Sequence, residues 1–172
     1  MEFNDIYDKD RRLTGRLHRR GSRWGKGEYG LVVCVWVYDG KGNVLLTRRA
    51  KGKSYAGTWE NSGGAAKAGE TSLQAIAREL LEETGIRAEE QEFELLETTR
   101  DSIAFYDHYC LRREVPLEAI VLQPGETDAV RWASFEEVYG MVERREICDV
   151  ISRQFLKQAP LLQKRQIIQS KH

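Results

Sequence analysis

Between Gly64 and Ile86 the chain reads GAAKAGETSLQAIARELLEETGI. Three glutamates, Glu79, Glu82 and Glu83, crowd its last third beside Arg78. Thr71 followed by Gln74 makes a capping box, and Gly85 is placed to end a helix in the left-handed conformation, so the stretch predicts a helix over 71–84. With Glu79 at zero and about 100° per residue, Glu83 falls near 40° and Glu82 near 300°. Leu73, Ala77, Leu80 and Thr84 cluster at about 100–160°, a separate packing stripe. Ala75 shares the carboxylate arc and leaves it uncrowded.

A solvated acidic face is the commoner use of glutamates on a helix. Here two costs favour another use. Like charges three and four residues apart repel, and the neighbouring lysines that would relieve them are missing. The trio also sits near the helix C-terminus, where the macrodipole disfavours negative charge. A cation relieves both costs. Hard divalent cations take oxygen ligands, and magnesium is typically held by a few carboxylates together with substrate phosphates.

The elements that must position this helix follow from the rest of the sequence. EFNDIYD and RLTGRLH flank the polar turn DKDR and predict a small hairpin. GSRWGKGEYG reads as a loop. LVVCVWVY is apolar throughout and predicts a strand buried on both faces. DGKGN is a hairpin turn and VLLTRR the returning strand. KGKSYAGTWENSGGAAKAG reads as one long loop, and a loop that long inside a compact domain is usually functional. EFELLETT, SIAFYDHYCLRRE and AVRWAS predict further strands. SFEEVYGMVE and EICDVISRQFLKQA predict helices, followed by a basic, polar tail. That order predicts an α/β fold, a mixed sheet packed between helices.

Composition bounds the function. The 172 residues suit one domain with its own core. Lys+Arg and Asp+Glu are both 27, and zero net charge argues against a general nucleic-acid binder. The basic run Arg11, Arg12, Arg16, Arg19, Arg20, Arg23 and Lys26 is either a solvated face or a means of steering an anionic ligand. Cys34, Cys110 and Cys148 are far apart and read as reduced thiols. The start MEFNDIYDKD has no apolar core for a leader, and no apolar run is long enough to span a bilayer. The expectation is a soluble, cytoplasmic protein with no membrane partner.

Written as a pattern, the opening stretch is G-x5-E-x7-R-E-U-x-E-E-x-G-U, where U is a bulky aliphatic. Gly64, Glu70, Arg78, Glu79, Leu80, Glu82, Glu83, Gly85 and Ile86 fill every fixed position, and the stretch resembles the Nudix box. The resemblance implies a Nudix fold, an α/β/α sandwich, with 1–27 as an N-terminal hairpin and loop, 28–145 as the Nudix core and 146–172 as a C-terminal helix. It implies a hydrolase that cleaves a diphosphate linked to another moiety and uses Mg2+ or Mn2+. Glu79, Glu82, Glu83 and the Gly64 carbonyl would hold the metal. Arg78 would orient the carboxylates, and Glu70 would brace the start of the helix. The general base would be Glu79, or else Glu126, which matches a glutamate often found six residues before the tryptophan of the last strand.

Upstream, LLTRRAKGKSYAGTWENS resembles the corresponding region of type 1 isopentenyl diphosphate isomerases, which share the Nudix fold. Those enzymes continue with a catalytic cysteine and a metal-binding histidine, and here neither residue stands between Asn61 and Glu70. The chain therefore looks like the isomerase-like branch of Nudix hydrolases, with Arg49 and Lys53 as candidate substrate contacts. Markers for coenzyme A, ADP-ribose and NADH substrates are incomplete or absent. Trp24, Tyr29 and Tyr55 are candidates to stack on a base. The expected substrate is a small-molecule diphosphate, a nucleoside di- or triphosphate or a nucleoside diphosphate joined to another group. Isomerase-like activity on a prenyl diphosphate and a silent nucleotide-binding sensor are the alternatives. DVISRQFL is a candidate homodimer surface.

Overall fold

The apolar run LVVCVWVY fills β3, Gly30–Tyr38, in a computed structural model that describes residues 1–169. Along one edge β3 pairs in parallel with β8, Ala104–Arg112, over the whole length of both strands. β7, Glu94–Arg100, continues the sheet antiparallel to β8. On the other edge β3 meets β4, Asn43–Arg49, at a single register pair, Tyr38 with Val44. β9, Thr127–Ser134, runs antiparallel along β4 and is longer than the AVRWAS segment expected from sequence.

β3 and β4 therefore part after their hairpin, and residues 59–65 enter the gap between them. β5, Trp59–Glu60, pairs with β4; β6, Ser62–Ala65, then crosses to pair with β3. The segment expected as one long loop thus contains two short strands. Glycine allows this close approach. A β-carbon on Gly63 would lie 2.3 Å from the Val33 carbonyl oxygen and 2.9 Å from Cys34 Cα, both backbone atoms.

Side chains of β3 alternate between two cores. Leu31, Val33, Val35 and Val37 pack with Ala75, Ile76 and Leu80 of α1, Ser72–Thr84. Trp36 and Tyr38 face the other way, against α2, Phe135–Glu143, and α3, Asp149–Gln169. The result is the expected α/β/α sandwich around a mixed sheet. Thr71 and Gln74 form the anticipated capping box, and Gly85 ends α1 with φ 74°. Ser134 and Glu137 cap α2 in the same way.

The C-terminal helix, expected over 146–172, begins at Asp149 and continues through Pro160; residues 170–172 lie outside the described residues. Proline inside a helix costs about 3 kcal/mol. Phe155, Ala159 and Leu162 are each fully buried around it, and their packing offsets that cost. The part of the expected polar tail that reaches Gln169 is therefore helical.

β1, Phe3–Tyr7, and β2, Leu13–Arg19, form the anticipated hairpin, and Tyr7 and Tyr29 exchange backbone hydrogen bonds that join it to the sheet. Asn4 Nδ2 donates to the Ala66 carbonyl at 2.7 Å, and Asp5 accepts the Gly69 N–H at 2.7 Å. Arg11 clasps both oxygens of buried Asp107, which also accepts Ser72 at 2.5 Å and Thr98 at 2.7 Å. Burial alone would raise the Asp107 pKa, but these donors hold it below the usual carboxylate value. The hairpin is thus fastened to the first residue of α1.

Cys34 and Cys110 are buried free thiols with pKa values pushed up to about 12 by desolvation. Among the described residues no helix is long and apolar enough to cross a membrane.

Gly63→Ala should destabilise the protein by about 1–3 kcal/mol, because backbone rather than a flexible side chain must yield. Urea unfolding checks this, and a variant as stable as wild type would contradict the close approach.

Candidate active site

The buried face of α1 is wider than the sequence indicates. Ala75, Ile76, Leu80 and Thr84 are fully buried, whereas Leu73 and Ala77 are only partly so. On the same wheel Ala75 stands near 320° and Ile76 near 60°. Glu79 and Glu83 fall between them. The helix therefore presses two carboxylates against the sheet with its apolar stripe, and only Glu82 turns outward. Ala75 does not merely leave the arc open; it is part of the core.

Arg78 is what makes this tolerable. Its Nε and Nη2 donate to the two oxygens of Glu70 at 2.6 and 2.9 Å. Nη1 donates to Glu79 at 2.8 Å and Glu82 at 3.1 Å, and Nη2 also reaches the Ala65 carbonyl at 3.2 Å. All five donors of the guanidinium are used. Burial would lower the Arg78 pKa, but the bonds to Glu70 and Glu79 raise it further still. Glu70 also accepts the Lys67 N–H at 2.8 Å, so it does brace the loop entering α1. Lys67 further supplies the lysine that the helix itself lacks, with its Nζ 3.5 Å from Glu82.

Glu79 has Arg78 beside it, yet desolvation outweighs that partner and raises its pKa. Its carboxyl lies directly over Gly64, where a β-carbon would meet Glu79 Cδ at 2.4 Å. Among the described residues, Glu83 has no cationic partner. It accepts the Gly63 N–H at 3.3 Å and a bond from Ser62, while desolvation, Glu60 and Glu79 together push its pKa up to about 8.

These groups line a cleft of about 490 Å³. Arg49, Lys53 and Glu126 line it too, so every site residue expected from sequence is brought to one place. Arg49 is paired with Glu60 at 2.9 and 2.7 Å, and Lys53 with Glu126. Among the described residues, no three His, Cys, Asp or Glu side chains stand grouped as a metal cluster. Glu79 and Glu82 are instead turned to Arg78, and Glu83 to Gly63.

Sequence reasoning missed Glu60. It sits on β5, half-buried, with its pKa raised by desolvation despite Arg49. Its signal was a lone acid between Trp59 and Asn61 in an otherwise uncharged run, GTWENSGG. Glu2, Arg20 and Lys67 also face the cleft. Of the aromatic candidates, none lines it: Tyr55 is exposed, Tyr29 packs beside Phe105, and Trp24 stacks on His18.

The NUDIX domain model matches residues 28–154. An uncharacterised Nudix hydrolase of Listeria monocytogenes is 33% identical over 146 residues, covering 80% of this chain and 83% of that one. A CTP pyrophosphohydrolase of Escherichia coli is 32% identical over 114 residues, covering 62% of this chain and 78% of that one. A crystal structure from Deinococcus radiodurans shares the fold with TM-score 0.68 and 20% identity, over 83% of this chain and 90% of that one. With an intact box on α1 and the matching sheet around it, the chain belongs to the Nudix family and is a Nudix pyrophosphohydrolase.

Proposed function

We propose that this chain hydrolyses the diphosphate linkage of a nucleoside di- or triphosphate, or of a nucleoside diphosphate joined to another group, in the cytoplasm, using Mg2+ or Mn2+. The observation that carries the reading is the burial of Glu83 beside Glu60 and Glu79 without a cationic partner of its own. The ionised form of Glu83 has no positive charge beside it, and a cation in the cleft would stabilise that form. Nudix hydrolases as a family use divalent metals and act on small-molecule diphosphates. The LLTRRAKGKSYAGTWENS stretch supports assigning the chain to the isomerase-like branch, because Arg49 and Lys53 from it both line the cleft.

The donor set fits a hard divalent ion. Glu79, Glu82, Glu83 and the Gly64 carbonyl offer only oxygen, and the like charges around Glu83 are what such an ion relieves. These four groups would hold it. When bound, the ion neutralises the diphosphate and lowers the pKa of a water. The chain's own residues do the rest. Glu79 takes the proton of the attacking water; its raised pKa makes it a better base near neutrality than an exposed carboxylate. Arg78 fixes its orientation, and Gly64 leaves room for its carboxyl. Glu126 is the second candidate for this role. Arg49 and Lys53 exchange Glu60 and Glu126 for diphosphate oxygens, each being within one side chain's reach of the cleft.

Glu83→Gln should cut turnover of nucleoside diphosphate derivatives by at least about 100-fold while the fold is kept. Phosphate release with magnesium and circular dichroism check both halves. Near wild-type turnover would refute the assignment; tight nucleotide binding with no turnover by wild type would favour a silent sensor. Gly64→Ala should shift stability by less than about 1 kcal/mol, since only the end of the Glu79 side chain must move. Its kcat should still fall roughly 100-fold, because the base is displaced.

The Glu83 pKa also sets a pH dependence. An unfolded glutamate titrates near 4.3, so between about 4.3 and 8 the folded protein binds the extra proton. Metal-free stability should therefore fall as pH rises through that window, by up to about 1.4 kcal/mol per unit, and level off above it. In Glu83→Gln this contribution should vanish. Metal-free denaturation at several pH values checks it, and equal slopes for the two proteins would refute it.

A further inference from the structure

Arg20 and Ala65 line two cavities at once, the carboxylate cleft and a second hollow of about 340 Å³. The two adjoin at these residues but differ in character. The cleft is built from charged side chains, whereas the hollow is walled mainly by carbon. Val32 and Tyr106, register partners on β3 and β8, stand side by side in it. One wall is flat. The rings of Trp24 and His18 are stacked with centroids 3.6 Å apart and planes 7° from parallel. The indole lies against Gly30, where a β-carbon would meet it at 2.9 Å. Asn4, His18 and Ser22 add hydrogen-bonding groups to the lining.

Residues 1–27 lie outside the matched NUDIX domain. That segment supplies Asn4, His18, Arg20, Ser22 and Trp24 to the hollow, and Glu2 and Arg20 to the cleft. It is anchored to the sheet and to α1 by the bonds of Asn4, Asp5 and Arg11. An apolar pocket with a few convergent polar groups, opening beside a charged cleft, suits a ligand with one aromatic end and one charged end.

We propose that the hollow binds the aromatic ring of the substrate's nucleoside, with Trp24 and His18 as its flat wall and Arg20 contacting the phosphate between ring and cleft. The proposal rests on the diphosphate-hydrolase reading and assigns a place to the nucleoside end of its substrate. Arg20 is suited to this position. It is largely exposed and, among the described residues, its guanidinium pairs with the partly exposed Glu2, so it can turn to a phosphate without uncovering a buried charge. Asn4 Nδ2 and Ser22 Oγ already donate to the Ala66 and Arg19 carbonyls, which leaves their remaining acceptor capacity and His18; the heteroatoms of a base can use these and an isoprenoid tail cannot.

The test is binding rather than turnover. α,β-Methylene nucleoside diphosphates of the four bases, methylenediphosphonate and isopentenyl diphosphate are titrated calorimetrically, with magnesium, into wild type, Trp24→Ala and Ser22→Trp. Ser22 is exposed on the rim, so Ser22→Trp blocks the hollow even if Trp24→Ala fails to fold. At least one nucleotide should bind wild type more tightly than methylenediphosphonate does. That nucleotide should lose about 10-fold or more in affinity in the folded variants, with methylenediphosphonate unchanged. Nucleotide affinities unaltered by both changes would overturn the proposal. So would equal loss of methylenediphosphonate, or the same loss for isopentenyl diphosphate alone. Nucleotide binding that depends on the hollow, in a protein that turns over no diphosphate, would refute the hydrolase reading and leave this one standing.

Discussion

Two carboxylates lie where α1 would otherwise present carbon to the sheet. Glu79 and Glu83 stand between Ala75 and Ile76 on the buried arc of the helix, and much of the nearby structure answers to that placement. Arg78 turns four of its five donors to Glu70, Glu79 and Glu82 and the fifth to the Ala65 carbonyl, which keeps the surrounding acids apart and oriented. Gly64 must lack a side chain because the Glu79 carboxyl occupies that space. Gly63 must lack one because β6 has to lie close to β3 to bring Gly64 there. Removing one partner from such an arrangement leaves a buried charge uncompensated, which costs far more than the pair contributes.

The N-terminal hairpin is integrated into this arrangement rather than appended to it. Asp107 receives Arg11 from the hairpin and Ser72 from the first turn of α1 on the same carboxylate. The helix that carries the candidate catalytic acids is thus fixed at its start by a residue outside the matched domain. At its other end Gly85 sits against Val121, so the angle of the helix on the sheet is held from both termini. A site that depends on carboxylates held to within an ångström needs that rigidity.

How much of this could be read beforehand depends on distance along the chain. The box was legible because Arg78, Glu79, Leu80, Glu82 and Glu83 share one helix, where spacing fixes direction. The capping box at Thr71 and the left-handed Gly85 were legible for the same reason. The buried arc was not, because which face of a helix meets the sheet is decided by the partner, and Leu73 and Ala77 were as apolar as Ala75. Glu60 escaped because its importance comes from Arg49 and Glu83, residues remote in sequence. β5 and β6 escaped because a strand wedged between two others needs glycine more than alternation. The continuation of α3 past Pro160 was hidden by a local rule that tertiary packing overrides.

The charges of the cleft form a nearly closed account. Five cationic residues, Arg20, Arg49, Lys53, Lys67 and Arg78, face six carboxylates, and the carboxylate with the pKa of about 8, Glu83, is the one left without a cation. Burial of Glu83 beside Glu60 and Glu79 favours its protonated form, which brings the cleft closer to electroneutrality without any ligand. A diphosphate alone would enter against Glu60, Glu79, Glu82 and Glu126, and would have to displace existing ion pairs. A cation alone would have to drive the proton from Glu83. On the proposed hydrolase reading, the two would enter together: Arg49 and Lys53, released from Glu60 and Glu126, would turn to phosphate oxygens, and the carboxylates would gain a positive partner. The ion pairs that fill the empty cleft are thus the ones such a ligand would exchange.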